Sequence, residues 1–248
     1  MTSRTRVILP TLALTLCCAT LYAADTKNID KTLPLKANGT VTLDAHNGSI
    51  LISTWDRAEV EIHVQIDAGG ASVEDRRRFN DTTVDIDGSS DLISIKSRTP
   101  DDDGWSVLSW FANLGFWGNS PEIRYTITAP RAARWRISNH NGTAEIRDVN
   151  APLELDTHNG RARVVNLGGP LELSMHNGDA QIDFASFSRD SRIETHNGTV
   201  EVALPASSRF KLHSDGHNMR VYSDFPVNGG GPGLWLTSHN GRFRLRSK

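Results

Sequence analysis

Cysteine is almost absent from this chain of 248 residues, whose only two cysteines are adjacent at Cys17 and Cys18. Both lie in an apolar stretch, residues 7–21, that follows Arg4 and Arg6 and precedes small alanines. A basic start, a short apolar segment and small residues are the three parts of a secretory signal peptide. We therefore predict that residues 1–24 are removed on export. Residues 25–248 contain no thiol, which excludes disulfides and cysteine-based metal or redox chemistry from them.

A lipid anchor on one of these cysteines is the alternative to a cleaved signal peptide. The residue before a lipidated cysteine should be small, whereas Cys17 follows Leu16 and Cys18 follows the other cysteine. The sequence therefore favours the cleaved peptide.

Long apolar runs and excess positive charge are also missing beyond the signal peptide. No later stretch contains about 18 consecutive apolar residues, so no transmembrane helix is expected. Loss of Arg4 and Arg6 changes the formal net charge from −2 to −4. Nucleic-acid binding depends on basic side chains that neutralise phosphates, and we therefore expect no nucleic-acid partner. The sequence also lacks a nucleophile elbow, a phosphate-binding glycine loop and a zinc-metalloprotease helix. It predicts neither an enzyme nor a cofactor.

The tripeptide His-Asn-Gly occurs six times in the chain. The copies are His46, Asn47, Gly48; His140, Asn141, Gly142; His158, Asn159, Gly160; His176, Asn177, Gly178; His196, Asn197, Gly198; and His239, Asn240, Gly241. An altered copy, Gly-His-Asn-Met, contains His217. From His140 onwards the histidines are 18, 18, 20, 21 and 22 residues apart, whereas His46 precedes His140 by 94. The regular spacing indicates a structural repeat, and the large gap indicates an inserted segment.

The residues around each copy alternate between apolar and polar types. Around His176, for example, Leu173 lies three residues before it and Ile182 six residues after it, next to the polar Gln181. A period of two indicates half-buried β-strands. Gly reaches positive φ without penalty and Asn tolerates it better than most residues, so Asn-Gly suits a tight corner. We therefore predict an all-β fold whose repeat is a strand, an Asn-Gly corner and a second strand.

Two architectures fit this repeat. In a meander, each Asn-Gly closes a two-residue hairpin between antiparallel strands. In a solenoid, each repeat is one coil, and equivalent residues stack at about 4.8 Å along the axis. The amides of Asn141, Asn159, Asn177 and Asn197 could then hydrogen-bond to one another. A meander needs favourable turn residues but not identical ones, whereas in stacked coils identical residues can hydrogen-bond to one another. The sequence therefore favours one parallel β-solenoid domain over residues 25–248, with the antiparallel meander as the alternative.

Residues 68–130 separate the first coils, residues 30–67, from the repeat coils, residues 131–248. The stretch ASVEDRRRFNDT predicts a short surface helix, and TTVDIDGSSDLISIKSR predicts two strands joined at a Gly turn. An acidic loop follows that contains Trp105, Trp110, Phe111, Phe116 and Trp117. We expect this loop to cap an open end of the solenoid. A contact surface for a partner is the alternative.

The order of these parts resembles the bacterial "putative adhesin" β-strand-repeat family, a domain family of unknown function in exported and membrane-attached proteins. The similar features are the strand pair NGSILISTWDRAEVEIHV, a short charged helix, a Trp- and Gly-rich acidic loop, a strand ending in TAP and several Asn-Gly strand repeats. Together they cover roughly residues 35 to 248. The resemblance implies a right-handed, single-stranded, parallel β-helix-like solenoid in the periplasm or on the outer surface of a bacterium. It implies no activity. The His before Asn-Gly departs from the Ser, Gly or Asn of many such repeats.

The histidines allow two interpretations. Alternation places the residue before each histidine inward and the histidine outward, so a solenoid would carry a column of imidazoles beside acids and hydroxyls. Stacked rings at a corner are the structural interpretation, and a divalent-metal site made by His158, His176 and His196 is the other. Ladder atoms repeat at about 4.8 Å, whereas ligand atoms on one tetrahedral ion lie about 3.3 Å apart. The sequence therefore favours the structural interpretation and predicts no metal.

Taken together, these patterns predict a non-enzymatic exported protein of the cell envelope. It would bind an envelope protein or glycan, as an adhesin does, or serve as a structural scaffold. A carbohydrate-active enzyme of the β-helix type is one alternative, because β-solenoids also host polysaccharide lyases and hydrolases. A metal-binding protein that uses the histidine column is the other.

Overall fold

The computed structural model describes residues 25–99, 120–226 and 229–248. The predicted signal peptide lies outside these ranges, as does the predicted aromatic loop with Trp105, Trp110, Phe111, Phe116 and Trp117. Within the described ranges, no helix has the length and apolar character needed to cross a membrane.

The described ranges form twelve β-strands and one short α-helix. In chain order these are β1 (Thr26–Pro34), β2 (Thr40–Trp55), β3 (Glu59–Asp67), α1 (Val73–Asp81), β4 (Thr83–Gly88), β5 (Leu92–Arg98), β6 (Glu122–Pro130), β7 (Arg134–Arg147), β8 (Leu153–Leu167), β9 (Leu171–Phe184), β10 (Ser191–Leu204), β11 (Lys211–Ser223) and β12 (Gly233–Ser247). This described part of the chain is therefore all-β apart from one helix.

The strands form one open sheet that does not close into a barrel. Its order is β1, β3, β6, β2, β7, β8, β9, β10, β12 and β11, and the hairpin of β4 and β5 pairs with β2 through β5. From β2 to β11, the seven strands that carry the motif are parallel to their neighbours, with Asn opposite Asn in every pair. The antiparallel meander is therefore wrong for the repeats.

Each motif lies within one strand rather than between two, which corrects the predicted repeat unit. Strand β9, for example, runs through His176, Asn177 and Gly178 without interruption. Gly178 has φ +139°, and the equivalent glycines of the four preceding and following motif strands have φ between +133° and +156°. Because parallel neighbours bend at the same residue, their pairing continues through the bend. Met175 and Ala180 are both buried although they are an odd number of residues apart, which a regular strand does not allow.

The first part of the sheet differs from the predicted coils of residues 30–67. Only β2 there carries a motif, whereas β1 pairs antiparallel with β3, and β3 pairs antiparallel with β6. The inserted segment then supplies two parallel partners to β2, since β5 pairs with its first half and β6 with its second half. Strands β1 and β3 contain no Asn-Gly, so nothing bends them to follow the coils.

Helix α1 stands in the segment where the sequence predicts one. Ser72 caps its start, where the Ser72 hydroxyl accepts from the Asp75 N–H and the Asp75 carboxylate accepts from the Ser72 N–H. At its other end, Lys27 of β1 donates to the carbonyl oxygens of Phe79 and Asn80 at 2.6 and 3.0 Å. A cation beside free C-terminal carbonyls is favourable for a helix. The helix is thereby attached to the edge strand of the sheet.

The core consists of the inward rows of the strands, which are mainly Leu, Ile and Val. Larger side chains fill particular places, among them the fully buried Trp135, Tyr125 and Phe184. Burial raises the pKa of the Tyr125 hydroxyl to about 12. Among the described residues, that hydroxyl has no hydrogen-bond partner.

Candidate functional site

Seven histidine rings form one column along the motif strands. His46, His140, His158, His176, His196 and His239 stack in this order, with centroids 4.6–5.2 Å apart and ring planes within 9° of parallel. His217 continues the column at 5.6 Å and 17° from His239. All except the half-buried His46 are exposed. The column of outward imidazoles expected from alternation is therefore present, and we call it the histidine ladder.

The stacked arrangement separates the ring nitrogens too far for a shared metal ion. Neighbouring centroids are 4.6 Å apart for His158 and His176 and 4.7 Å apart for His176 and His196, with nearly parallel planes. Equivalent nitrogens of parallel rings lie a similar distance apart, whereas two ligands on opposite sides of one zinc ion reach at most about 4.2 Å. In the described ranges, no three or more His, Cys, Asp or Glu side chains are grouped to hold an ion. The absence of a metal site at these rings stays a prediction, and metal binding by His158, His176 and His196 stays its alternative.

The asparagines form a second column, of hydrogen bonds. Six hydrogen bonds of 2.8–3.2 Å, each from an amide nitrogen to the amide oxygen on a neighbouring strand, join seven asparagines in the order Asn47, Asn141, Asn159, Asn177, Asn197, Asn240 and Asn218. A half-buried amide that makes such bonds on both sides avoids the free-energy cost of an unpaired polar group. This asparagine ladder gives the repeated Asn a structural reason that a single turn would not supply.

The glycines are required by the neighbouring strand as well as by their backbone angles. A Cβ atom on Gly178 would overlap the carbonyl oxygen of Gly160, far inside the 3.0 Å limit of real Cβ contacts. Gly142, Gly160 and Gly198 each meet the preceding motif glycine in the same way. The motif therefore combines a positive-φ bend with a close approach between neighbouring strands.

An open groove crosses the beginnings of six neighbouring strands, β2, β7, β8, β9, β10 and β12. Its volume is about 640 Å³, within the usual range for small-ligand sites. Two rows of side chains line it, six and four residues before each motif histidine. The first row contains Thr40, Arg134, Pro152, Pro170 and Asp190, and the second contains Arg136, Glu154, Glu172, Arg192 and Trp235. We call this feature the strand-start groove.

In the second row, two neighbouring glutamates lie between two arginines, in the order Arg136, Glu154, Glu172 and Arg192. Arg136 donates to Glu154 at 2.8 Å, and both side chains remain more than half exposed. Glu172 lies in register between Glu154 and Arg192. At the β12 end of the row, the half-buried Trp235 stacks on His213 of β11, with centroids 5.0 Å apart and planes 10° from parallel. The strand-start groove thus offers donors, acceptors and an aromatic surface in fixed positions.

Sequence reasoning missed the strand-start groove, although its signal is visible. Aligning the chain on the histidines brings Arg136, Glu154, Glu172, Arg192 and Trp235 into one column. Their residue types differ, so a search for repeated residues passes over them. The histidines, which do repeat, form a separate column four residues further along each strand.

Comparisons with known proteins give limited information. No protein-family model and no curated protein matches the chain. Among solved structures, a "putative cell adhesion protein" from Clostridium sporogenes is 11% identical over 90% of this chain and 100% of that chain, with a TM-score of 0.48. A "putative adhesin" from Bacteroides fragilis is 10% identical over 89% and 97%, with a TM-score of 0.34.

A third solved structure, a "putative lipid binding protein" from Parabacteroides distasonis, is 9% identical over 88% of this chain and 97% of that chain, with a TM-score of 0.36. All three scores lie below 0.5, so these likenesses assign neither a fold nor a function to this chain. Membership of the adhesin family remains a prediction.

Proposed function

We propose that residues 25–248 form one exported β-solenoid that binds a component of the bacterial envelope and catalyses no reaction. The parallel, in-register motif strands support the solenoid, because five of the seven have a positive-φ glycine at the same position and all stack their Asn and His on those of their neighbours. The signal peptide proposed for residues 1–24 supports export.

The strand-start groove is the observation that carries the binding role. Its side chains stand on, or directly before, strands that are paired on both sides, so the backbone positions that carry them are set before a ligand arrives. Preorganised sites lose less conformational freedom on binding and therefore bind more tightly. The surface is also extended across six strands rather than concentrated at one point, which suits adhesion to a long partner.

One carboxylate of the strand-start groove is already paired with an arginine, which is unfavourable for the acid of a glycosidase. Such enzymes place a protonated carboxyl beside a charged one, on either side of the bond that is cleaved. Here Glu154 and Glu172 lie side by side in one row, and Glu154 is already paired with Arg136. This arrangement favours binding over hydrolysis.

The proposal is tested first by export and then by capture. Mass spectrometry of the protein recovered from the cell envelope should give an N-terminus at residue 24 or 25. Purified wild-type protein, Trp235→Ala and Gln181→Ala are then immobilised and exposed to solubilised envelope material, and the bound glycans and proteins are compared. Gln181 is exposed on β9, in the other half of the strand beyond the motif, and serves as the matched control.

We expect wild type and Gln181→Ala to retain the same envelope component and Trp235→Ala to lose it. Identical capture by all three proteins would contradict a role for the strand-start groove. Release of new reducing ends from an envelope polysaccharide, abolished by Glu172→Gln, would replace the binding proposal with the enzyme alternative.

A further inference from the structure

We infer that the strand-start groove binds a linear, uncharged oligosaccharide along its length. This inference rests on the proposed binding function and adds the chemical class of the ligand. Four properties of the groove support this inference: its balanced charges, its flat apolar surfaces, its length, and the pairing of its strands on both sides.

The charges of the groove cancel. Arg134, Arg136 and Arg192 contribute three positive charges, and Glu154, Glu172 and Asp190 contribute three negative ones. A polyanion or a polycation would meet as many repelling as attracting groups, and the chain as a whole carries only −2. An uncharged chain of hydroxyl groups meets no repulsion, and it accepts hydrogen bonds from guanidinium groups and donates them to carboxylates.

Flat apolar surfaces lie beside these polar groups. Trp235 is half-buried, with one face fixed against His213. Pro152 and Pro170 stand next to each other in the first row, each just before the strand that follows it. The C–H faces of sugar rings pack on such surfaces while their hydroxyl groups remain free to hydrogen-bond. An amphipathic surface of this kind fits a sugar better than it fits a wholly polar ion.

The length of the groove indicates a chain rather than a single sugar. It crosses six strands, and five steps at the usual spacing of about 4.8 Å give roughly 24 Å. Several sugar units in line are needed to fill that distance. Affinity is therefore expected to rise with chain length until the groove is full.

The backbone and the walls argue against two other extended ligands. A peptide that adds a strand needs a free sheet edge, whereas the strands of the groove are all paired on both sides. A lipid chain needs an enclosed apolar cavity, whereas this groove is open and is lined by six charged side chains. The groove therefore fits neither a peptide that pairs as a β-strand nor an acyl chain.

Calorimetric titration with defined oligosaccharides tests the inference. The probes are neutral β-linked gluco- and manno-oligosaccharides from two to eight units, with uronic acid oligomers and amino-sugar oligomers of matched length as comparisons. We expect the neutral series to bind with increasing affinity up to a plateau and the charged series to bind at least about tenfold more weakly. Trp235→Ala should weaken binding at least about tenfold, Trp235→Phe should restore part of it, and Gln181→Ala should leave it unchanged.

Circular dichroism and the urea midpoint separate loss of binding from loss of folding for each variant. If Trp235→Ala is unstable, Glu172→Gln and Arg192→Gln provide the same test without removing a partly buried ring. Preference for a charged series, an absence of length dependence, or no binding of any neutral oligomer would overturn the inference. If envelope capture still depended on Trp235 in that case, the proposed binding function would stand and only the ligand class would be wrong.

Discussion

Replacement of Gly178 by Ala tests whether the motif glycine is required by the neighbouring coil. Gly178 has φ +139°, a region that is essentially restricted to glycine, and an alanine there costs about 1–3 kcal/mol. The new Cβ would also overlap the carbonyl oxygen of Gly160, so the two strands would have to separate by at least an ångström. The Asn177 to Asn159 hydrogen bond, at 2.9 Å, lies beside this contact and would be lost along with adjacent backbone bonds. Each contributes about 1 kcal/mol.

The expected total loss for Gly178→Ala is therefore at least about 4 kcal/mol of unfolding free energy. Two other glycines separate the cost of the positive φ from the cost of the overlap with the neighbouring strand. Gly230 has φ +72° but nothing within 4 Å of an added Cβ, so Gly230→Ala carries only the backbone cost. An added Cβ on Gly229 would make only ordinary contacts at 3.6 Å or more, and its φ lies outside the left-handed region, so Gly229→Ala should change stability by less than about 0.5 kcal/mol.

Urea unfolding followed by tryptophan fluorescence measures all three variants under the same conditions. The expected order of stability is Gly229→Ala, then Gly230→Ala, then Gly178→Ala. If Gly178→Ala were no less stable than Gly230→Ala, the close approach between neighbouring strands would not be the reason for the glycine. Its positive φ alone would then explain why glycine is required.

Three further substitutions address the asparagine ladder and the core. Asn177→Ala removes a donated and an accepted hydrogen bond and should cost about 2 kcal/mol. Asn218→Ala, at the exposed end of the ladder, should cost less than about 1 kcal/mol, and equal losses in urea titration would contradict a cooperative ladder. Burial raises the pKa of Tyr125 from 10.0 to about 12, so the unfolded chain loses this proton first and stability falls as the pH rises from 10 to 12. The fall should reach up to about 3 kcal/mol. Tyr125→Phe should remove that part of the alkaline destabilisation, and an unchanged pH dependence in the variant would refute the assignment.

The repeated residues were the part of the structure that could be predicted best. Identical Asn and His residues at regular spacing predict a parallel stack, because only stacking makes identity useful. The ladders at Asn177 and His176 follow from that reasoning. Alternation alone, however, is the same for parallel and antiparallel strands, so the antiparallel pairing of β1 and β3 left no signal in the sequence.

The candidate site was harder to predict because binding surfaces need not repeat. In the column that contains Glu172, Arg192 and Trp235, each coil supplies a different side chain. Only the registers of the finished sheet show that these side chains share a groove. The histidines attract more notice in the sequence, and yet the five inner rings of the ladder present only their edges to the surroundings, since both faces are covered by the next rings.

The order of β10, β12 and β11 has a consequence for how the molecule is completed. Strand β12 follows β11 in the chain but lies between β10 and β11 in the sheet, and β11 pairs with β12 alone among the described strands. From β7 to β10, each new strand of the chain pairs with the strand before it, so these strands can be added to the stack one by one. The chain must then hold β11 aside as an unpaired arm until β12 arrives. Loss of β12 would therefore remove a strand from within the sheet rather than from its edge. Among the described strands, β11 would then have no partner. Strand β12 is therefore the strand through which β11 is joined to the rest of the sheet.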